Sequence, residues 1–144
     1  MIRYILDTDH FSLWQRNHPV VTTRIQTINP DNLAITIITA EELIRGRFNV
    51  IRQASESSQV DKLVSAYMKL WNTLEDFKSL NILKFDQNAY SLYTEFRSQK
   101  IRIGTQDLRI ASIVLANNSI LVTRNQRDFA QVPALIFEDW TIQP

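Results

Sequence analysis

Four acids in this chain, Asp7, Glu42, Asp107 and Asp128, come from distant segments and each neighbours a short apolar run or a helix start. Carboxylates brought to one place repel one another, and a divalent cation is the usual solution. Mg²⁺ and Mn²⁺ prefer such oxygen donors, keep several waters and accept phosphate oxygens as further ligands. One or two such ions activate water and clamp a scissile phosphate, so the chemistry implied is phosphodiester hydrolysis. Thr8, Asp9, Thr123 and Asn125 flank these acids and are candidates for a supporting role. His10 and His18 lack the spacing of a paired metal motif, and His10 is kept as a candidate substrate contact.

The acids meet only if the elements that carry them share an edge. Residues 3–6 form a short β-prone run ending on Asp7, which reads as a buried first strand. A helix over 19–28 follows, with Pro19 in its first turn and an Asn29-Pro30-Asp31-Asn32 turn after it. Residues 33–37 read as a second strand. Thr39 with Glu42 three residues on has capping-box spacing, which places Glu42 in the first turn of the next helix. Residues 82–85 and 120–122 predict two more strands, 87–100 and 107–117 two more helices, and 135–137 a last short strand. Thr105 is the expected cap of the helix that carries Asp107.

Strands alternating with helices imply a three-layer α/β/α sandwich around a mostly parallel sheet of four to five strands. Ligands of such sheets bind outside the carboxyl ends of the strands. Asp7, Glu42 and Asp128 follow strands one, two and four there, and the helix of Asp107 starts at the same edge. Each acid also has a purely structural use: Glu42 and Asp107 suit the positive end of a helix, and Asp128 suits a turn. Asp7, directly behind a buried strand, is the hardest to explain that way.

The 144 residues are enough for one domain, expected to span 1–144, that buries roughly two-thirds of its unfolded surface. Apolar residues at 44% and charged ones at 22% match a soluble globular profile. No apolar run is long enough to span a bilayer, and the opening run reaches Asp7 too soon for a secretory signal. With no cysteine, disulfides and thiolate metal sites are excluded, and a cytoplasmic protein is expected. The net charge is only +1, but residues 97–130 hold six basic side chains against two acids, Asp107 and Asp128. That surround either suits a polyanion such as RNA or is simply a solvated surface. The apolar stripe at helical spacing over 60–77, with Tyr67 and Trp71, reads as core rather than as a partner groove. The polar stretch 53–59 reads as a loop between helices.

Four segments together resemble the PIN domain, and within it the VapC-type toxins. Tyr4-Ile5-Leu6-Asp7-Thr8-Asp9 is similar to that family's opening strand and its metal-binding aspartate. Thr39-Ala40-Glu41-Glu42-Leu43-Ile44-Arg45-Gly46 resembles a glutamate-leucine-x-x-glycine pattern and selects Glu42 over Glu41. Ile103-Gly104-Thr105-Gln106-Asp107-Leu108-Arg109-Ile110-Ala111 is similar to the segment carrying the third acid. Leu121-Val122-Thr123-Arg124-Asn125-Gln126-Arg127-Asp128-Phe129 resembles the closing run. Many relatives carry an aspartate where this chain has Asn125. The fourth role therefore falls either to Asp128 or to Asn125 acting through a metal-bound water. The resemblance covers residues 4–140 and implies a Mg²⁺- or Mn²⁺-dependent endoribonuclease, commonly a homodimer, encoded beside a small antitoxin that occupies its site. The bound antitoxin would engage a rim of Arg102, Arg109, Arg124 and Arg127, or pair an arginine with the carboxylates.

Two other readings use the same residues. Asp7-Thr8-Asp9 could supply nucleophile and general acid of an aspartyl phosphatase, but that chemistry also wants a later lysine, and none follows Lys100. A catalytically silent RNA-binding module on the same fold is the other, since fold does not guarantee activity. Gly46 and Gly104 are the only glycines, which excludes a Gly-rich phosphate loop and the nucleotide-driven enzymes that need one.

Overall fold

A computed structural model describes residues 2–142. The strands are β1 (Tyr4–Leu6), β2 (Leu33–Thr36), β3 (Asn81–Leu83), β4 (Ile120–Val122) and β5 (Phe137–Glu138). The helices are α1 (Thr8–Gln15), α2 (Pro19–Gln26), α3 (Ile37–Ser55), α4 (Val60–Lys78), α5 (Gln87–Ser98), α6 (Thr105–Ala116) and the four-residue α7 (Gln126–Phe129). The five strands form one all-parallel sheet in the order β3-β2-β1-β4-β5. β1 lies at the centre, with Ile5 opposite both Ala34 of β2 and Leu121 of β4. The chain leaves β1 for a neighbour on one side and later returns to the other side. Such a reversal opens a crevice at the carboxyl ends of the strands.

Side chains of a strand alternate between faces, and here they feed two cores. Ile5, Ala34 and Leu121 point to one face and pack with Tyr93 and Phe96 of α5 and Leu108, Ala111 and Ile113 of α6. Leu6, Ile35 and Val122 point to the other, where Phe11 of α1, Leu43 of α3 and Trp140 cover them. The expected α/β/α sandwich is therefore present, with every strand parallel. The central β1, β2 and β4, short as they are, survive because most of their residues are buried on both faces and each is paired on both edges. No helix of the described residues is long and apolar enough to cross a membrane.

Several expectations need correction. α1 was not anticipated: Asp7 ends β1 and at once caps this helix, accepting the His10 N–H at 2.8 Å. β2 ends at Thr36, and the cap of α3 is Thr36 rather than Thr39, its hydroxyl accepting the Thr39 N–H at 3.1 Å. Glu42 consequently sits in the second turn of α3 and caps nothing. Gly104 rather than Thr105 precedes α6, without a side-chain cap, and Asp107 stays in its first turn. β3 lies at 81–83 instead of 82–85, and β5 at 137–138 instead of 135–137.

The stripe on α4 is not core. Tyr67 is 55% exposed and Trp71 is 61% exposed, whereas the small Ala66 and Thr73 are buried. α4 docks on α3 along this small face, where Thr73 Oγ1 accepts Arg47 Nε at 3.0 Å. Small residues let the two helices approach closely, and the aromatic face is left pointing outward.

These two environments give a direct comparison. Phe11 is fully buried, with ring centroids 5.3 Å from Trp14 and 5.9 Å from Phe77. Phe11→Ala is expected to cost about 3–5 kcal/mol in urea unfolding, and Trp71→Ala less than about 1 kcal/mol. Equal losses for the two would mean that the α4 stripe is packed after all.

Candidate active site

Asp7 stands at the centre of the sheet's carboxyl edge. Its backbone N–H still donates to Val122 O of β4 at 3.0 Å, so the sheet ladder fixes its position. The residue is 8% exposed, with Oδ1 turned into the start of α1, where the positive end of the helix favours an anion. The next residue reaches the second acid. The Thr8 hydroxyl donates to Glu42 Oε1 at 2.7 Å and lies 3.1 Å from Thr39 Oγ1. Glu42 thus owes its direction to the strand-one segment, not to its own helix.

Asp107 projects from the first turn of α6 and registers the whole cluster. Its carboxyl is pushed from 3.8 up to about 6, first by burial and then by Glu42, Asp7 and Asp128. All four acids therefore share one electric field, as their placement along the chain predicts.

The fourth segment leaves β4 at the buried Thr123, whose N–H donates to Glu138 O of β5 at 2.8 Å. Thr123 Oγ1 accepts the Asn125 N–H at 2.9 Å, which turns the chain into α7. The Asn125 side-chain amide then donates to Asp128 Oδ2 at 3.0 Å. Thr123 thus folds the turn, and the Asn125 amide fixes the direction of the Asp128 carboxyl.

Asp9 lies beside Asp7 but is already paired. Arg124 grips it through Nε at 2.7 Å and Nη2 at 2.9 Å, a paired fork on both carboxylate oxygens. That bond, with Asp139 and Asp7 beyond it, holds the Arg124 guanidinium more firmly protonated than usual. An Asp9 so held is poorly placed to serve as a phosphatase's general acid. Nothing in the sequence short of the folded contact pairs residues so far apart. His10 is 0% exposed, so it cannot touch a substrate, contrary to the expectation. Asp7, Asp9 and His10 bring ligand atoms within 4.8 Å of one another, an acidic cluster consistent with metal binding around Asp7.

The basic rim divides in two. Arg109 donates to Gln106 Oε1 at 2.7 Å and stacks 5.4 Å over the Tyr93 ring, while Arg124 holds Asp9. Arg102 and Arg127 are exposed and make no ion pair among the described residues. A concavity of about 690 Å³ between α2 and the C-terminal segment, lined by Pro19, Val20, Trp140 and Ile142, contains none of the acids.

The donors at this edge are carboxylate, hydroxyl and amide oxygens, with no sulfur and no exposed imidazole. Such a set suits a hard divalent cation. The raised Asp107 carboxyl adds a second argument: after burial, its causes are Glu42, Asp7 and Asp128, and a cation would relieve that crowding.

The chain matches the PIN domain family model over residues 4–135. It is 29% identical over 140 residues to ribonuclease VapC1 of Haemophilus influenzae, covering 96% of this chain and 98% of that one. To the tRNA(fMet)-specific endonuclease VapC of Shigella flexneri it is 27% identical over 146 residues, covering 98% and 100%. Among solved structures it is similar to VapBC-1 from nontypeable Haemophilus influenzae, with a TM-score of 0.76 and 26% identity over 99% of this chain and 100% of that one. The ordered strands and the parallel sheet agree with that match. The chain belongs to the PIN domain family and is related to the VapC toxins of VapBC toxin–antitoxin systems.

Proposed function

We propose that this protein is a VapC-type endoribonuclease whose cation, Mg²⁺ or Mn²⁺, is held by Asp7, Glu42, Asp107 and Asp128. The observation that carries this reading is the convergence of four carboxylates from four segments on one open sheet edge, registered in the raised Asp107 carboxyl. When bound, such an ion supplies an activated water and offsets charge on the scissile phosphate.

The chain's own groups do the rest. Asp7 is fixed by the β1 ladder, Thr8 aims Glu42, and Asn125 aims Asp128. Asn125 acts as the positioning group and Asp128 as the charge. Arg102 and Arg127, exposed on the rim, attract the RNA backbone, and the strength of that attraction falls with salt. Arg124 pairs with both carboxylate oxygens of Asp9, so Asp9 offers a cation beside Asp7 less free charge than an unpaired acid would.

The partners that fit are an RNA substrate, a cognate antitoxin encoded nearby, and a second copy of the chain in a homodimer, all in the cytoplasm. Support for protein partners comes from the solved VapBC relative and from the uncovered apolar face of α4.

Three outcomes test this reading. Asp7→Asn, which removes a charge with little change of shape, should abolish RNA cleavage as completely as EDTA does. Asn125→Ala should reduce cleavage by about 10–100-fold, the usual cost of losing a partner of a metal ligand. Wild-type rates in Asp7→Asn protein, or in EDTA, would refute the assignment.

Asp107→Asn separates charge from chemistry. An acid whose carboxyl rises from 3.8 unfolded to about 6 folded penalises the fold increasingly as pH climbs from 3.8, fully above about 6 and not at all below 3.8. The metal-free Asp107→Asn protein should therefore melt higher than wild type at pH 8, with the gap closing at pH 4, while cleavage is lost. A lower Tm at pH 8 would show that the Asp107 charge carries no penalty from its burial and its neighbours.

Induced expression of the active chain should arrest bacterial growth, and co-expression of the adjacent small gene should restore it. Unimpaired growth with no co-purifying partner would refute the toxin role and leave the nuclease intact.

A further inference from the structure

His10 takes no part in the scheme above, yet its ring is wholly enclosed beside the cluster, on α1 three residues after Asp7. Its Nε2 accepts the backbone N–H of Trp140 at 3.2 Å. A ring nitrogen that accepts carries no proton, so the neutral imidazole holds its proton on Nδ1. That Nδ1 has no hydrogen-bond partner among the described residues. A buried donor without an acceptor is costly, and in a native interior it demands a reason.

The reason lies 3.4 Å away at Asp7 Oδ1, the same oxygen that accepts the His10 backbone N–H at 2.8 Å. Asp139 approaches from the other side, with Oδ1 3.7 Å from Nε2, but that oxygen already accepts the N–H and hydroxyl of Thr141. Because Nε2 is occupied as an acceptor, the ring proton belongs to the Asp7 side. Trp140, which fixes this tautomer, is itself buried and packs 5.1 Å from Tyr4 of β1. The ring therefore joins the C-terminal segment to the residue at the end of the first strand.

We propose that His10 is a positioning residue for Asp7: a neutral imidazole, protonated at Nδ1, that holds Oδ1 at the start of α1 and leaves Oδ2 for the cation. This role rests on the reading of Asp7 as a metal ligand. Oδ2 takes no hydrogen bond from the described residues, so the two oxygens of Asp7 have separate duties. An uncharged donor suits the task, because it orients the carboxylate without cancelling the charge that attracts the metal.

The test has two arms. In wild-type protein labelled with ¹⁵N-histidine, two-bond ¹H–¹⁵N correlation at neutral pH should show His10 protonated on Nδ1 and bare on Nε2. A proton on Nε2, alone or as well, would overturn the proposal, and this arm needs no variant to fold. In the second arm, Mn²⁺ affinity is measured by electron paramagnetic resonance, with Tm recorded for each protein. His10→Phe keeps a ring without a donor and should bind Mn²⁺ about 10–100-fold more weakly. His10→Asn, whose amide nitrogen can stand where Nδ1 was, should recover most of that loss, even though it packs less well than Phe. Wild-type affinity in His10→Phe, or no recovery in His10→Asn, would overturn the positioning role alone. A wild-type chain that takes up no Mn²⁺ would overturn the metal reading of the site, and this role with it.

Discussion

Like charges gathered on one sheet edge push their carriers apart, and the architecture around Asp7, Glu42, Asp107 and Asp128 is organised against that push. Asp107 registers that push on top of its burial: its carboxyl is raised from 3.8 to about 6, first by desolvation and then by Glu42, Asp7 and Asp128. Flexible loops would let the acids drift apart. Here they spring from three- and four-residue strands buried on both faces, and from helices that begin within a few residues of those strands. The two cores do not merely stabilise the fold. They resist the opening of the edge where the charges sit.

The carboxylates are steered by neutral donors. Asp7 is met by a backbone N–H, Glu42 by the Thr8 hydroxyl, and Asp128 by the Asn125 amide. A lysine or arginine in any of these places would orient the acid equally well but would neutralise it, and the attraction for a divalent cation would fall. The paired arginine is instead placed on Asp9, outside the four. Orientation and charge are thereby controlled separately at Asp7, Glu42 and Asp128.

Much of this could be read from residue order. A short apolar run ending in an acid is buried on both sides and must release its last side chain at the sheet edge, so Asp7 was legible, as were the parallel sheet and the four-way convergence. What escaped depends on contacts between residues distant in sequence or on competition between equivalent local signals. Thr36 and Thr39 are both able to cap α3, and only the end of the β2 ladder decides for Thr36. α1 starts directly at the end of β1, with no separate turn to announce it. His10 looked like a polar residue near a site, and only its enclosure shows that substrate cannot reach it. On α4 the spacing predicted the stripe correctly but not its direction. Helical periodicity identifies a face, while the choice of which face docks was made by the fit of Ala66 and Thr73 to α3.

That docking has an evolutionary corollary. α4 is held to the body through Ala66 and Thr73, the Arg47 and Gln15 side chains and Phe77 against Phe11, so the bulky residues on its far side are not the ones that dock it. They also lie on a different element from every acid of the edge. Drift on that side is therefore insulated from the hydrolytic machinery. A genome could hold several duplicated copies of such a chain whose outer surfaces diverge until cross-talk between them ceases, while the carboxylates stay untouched.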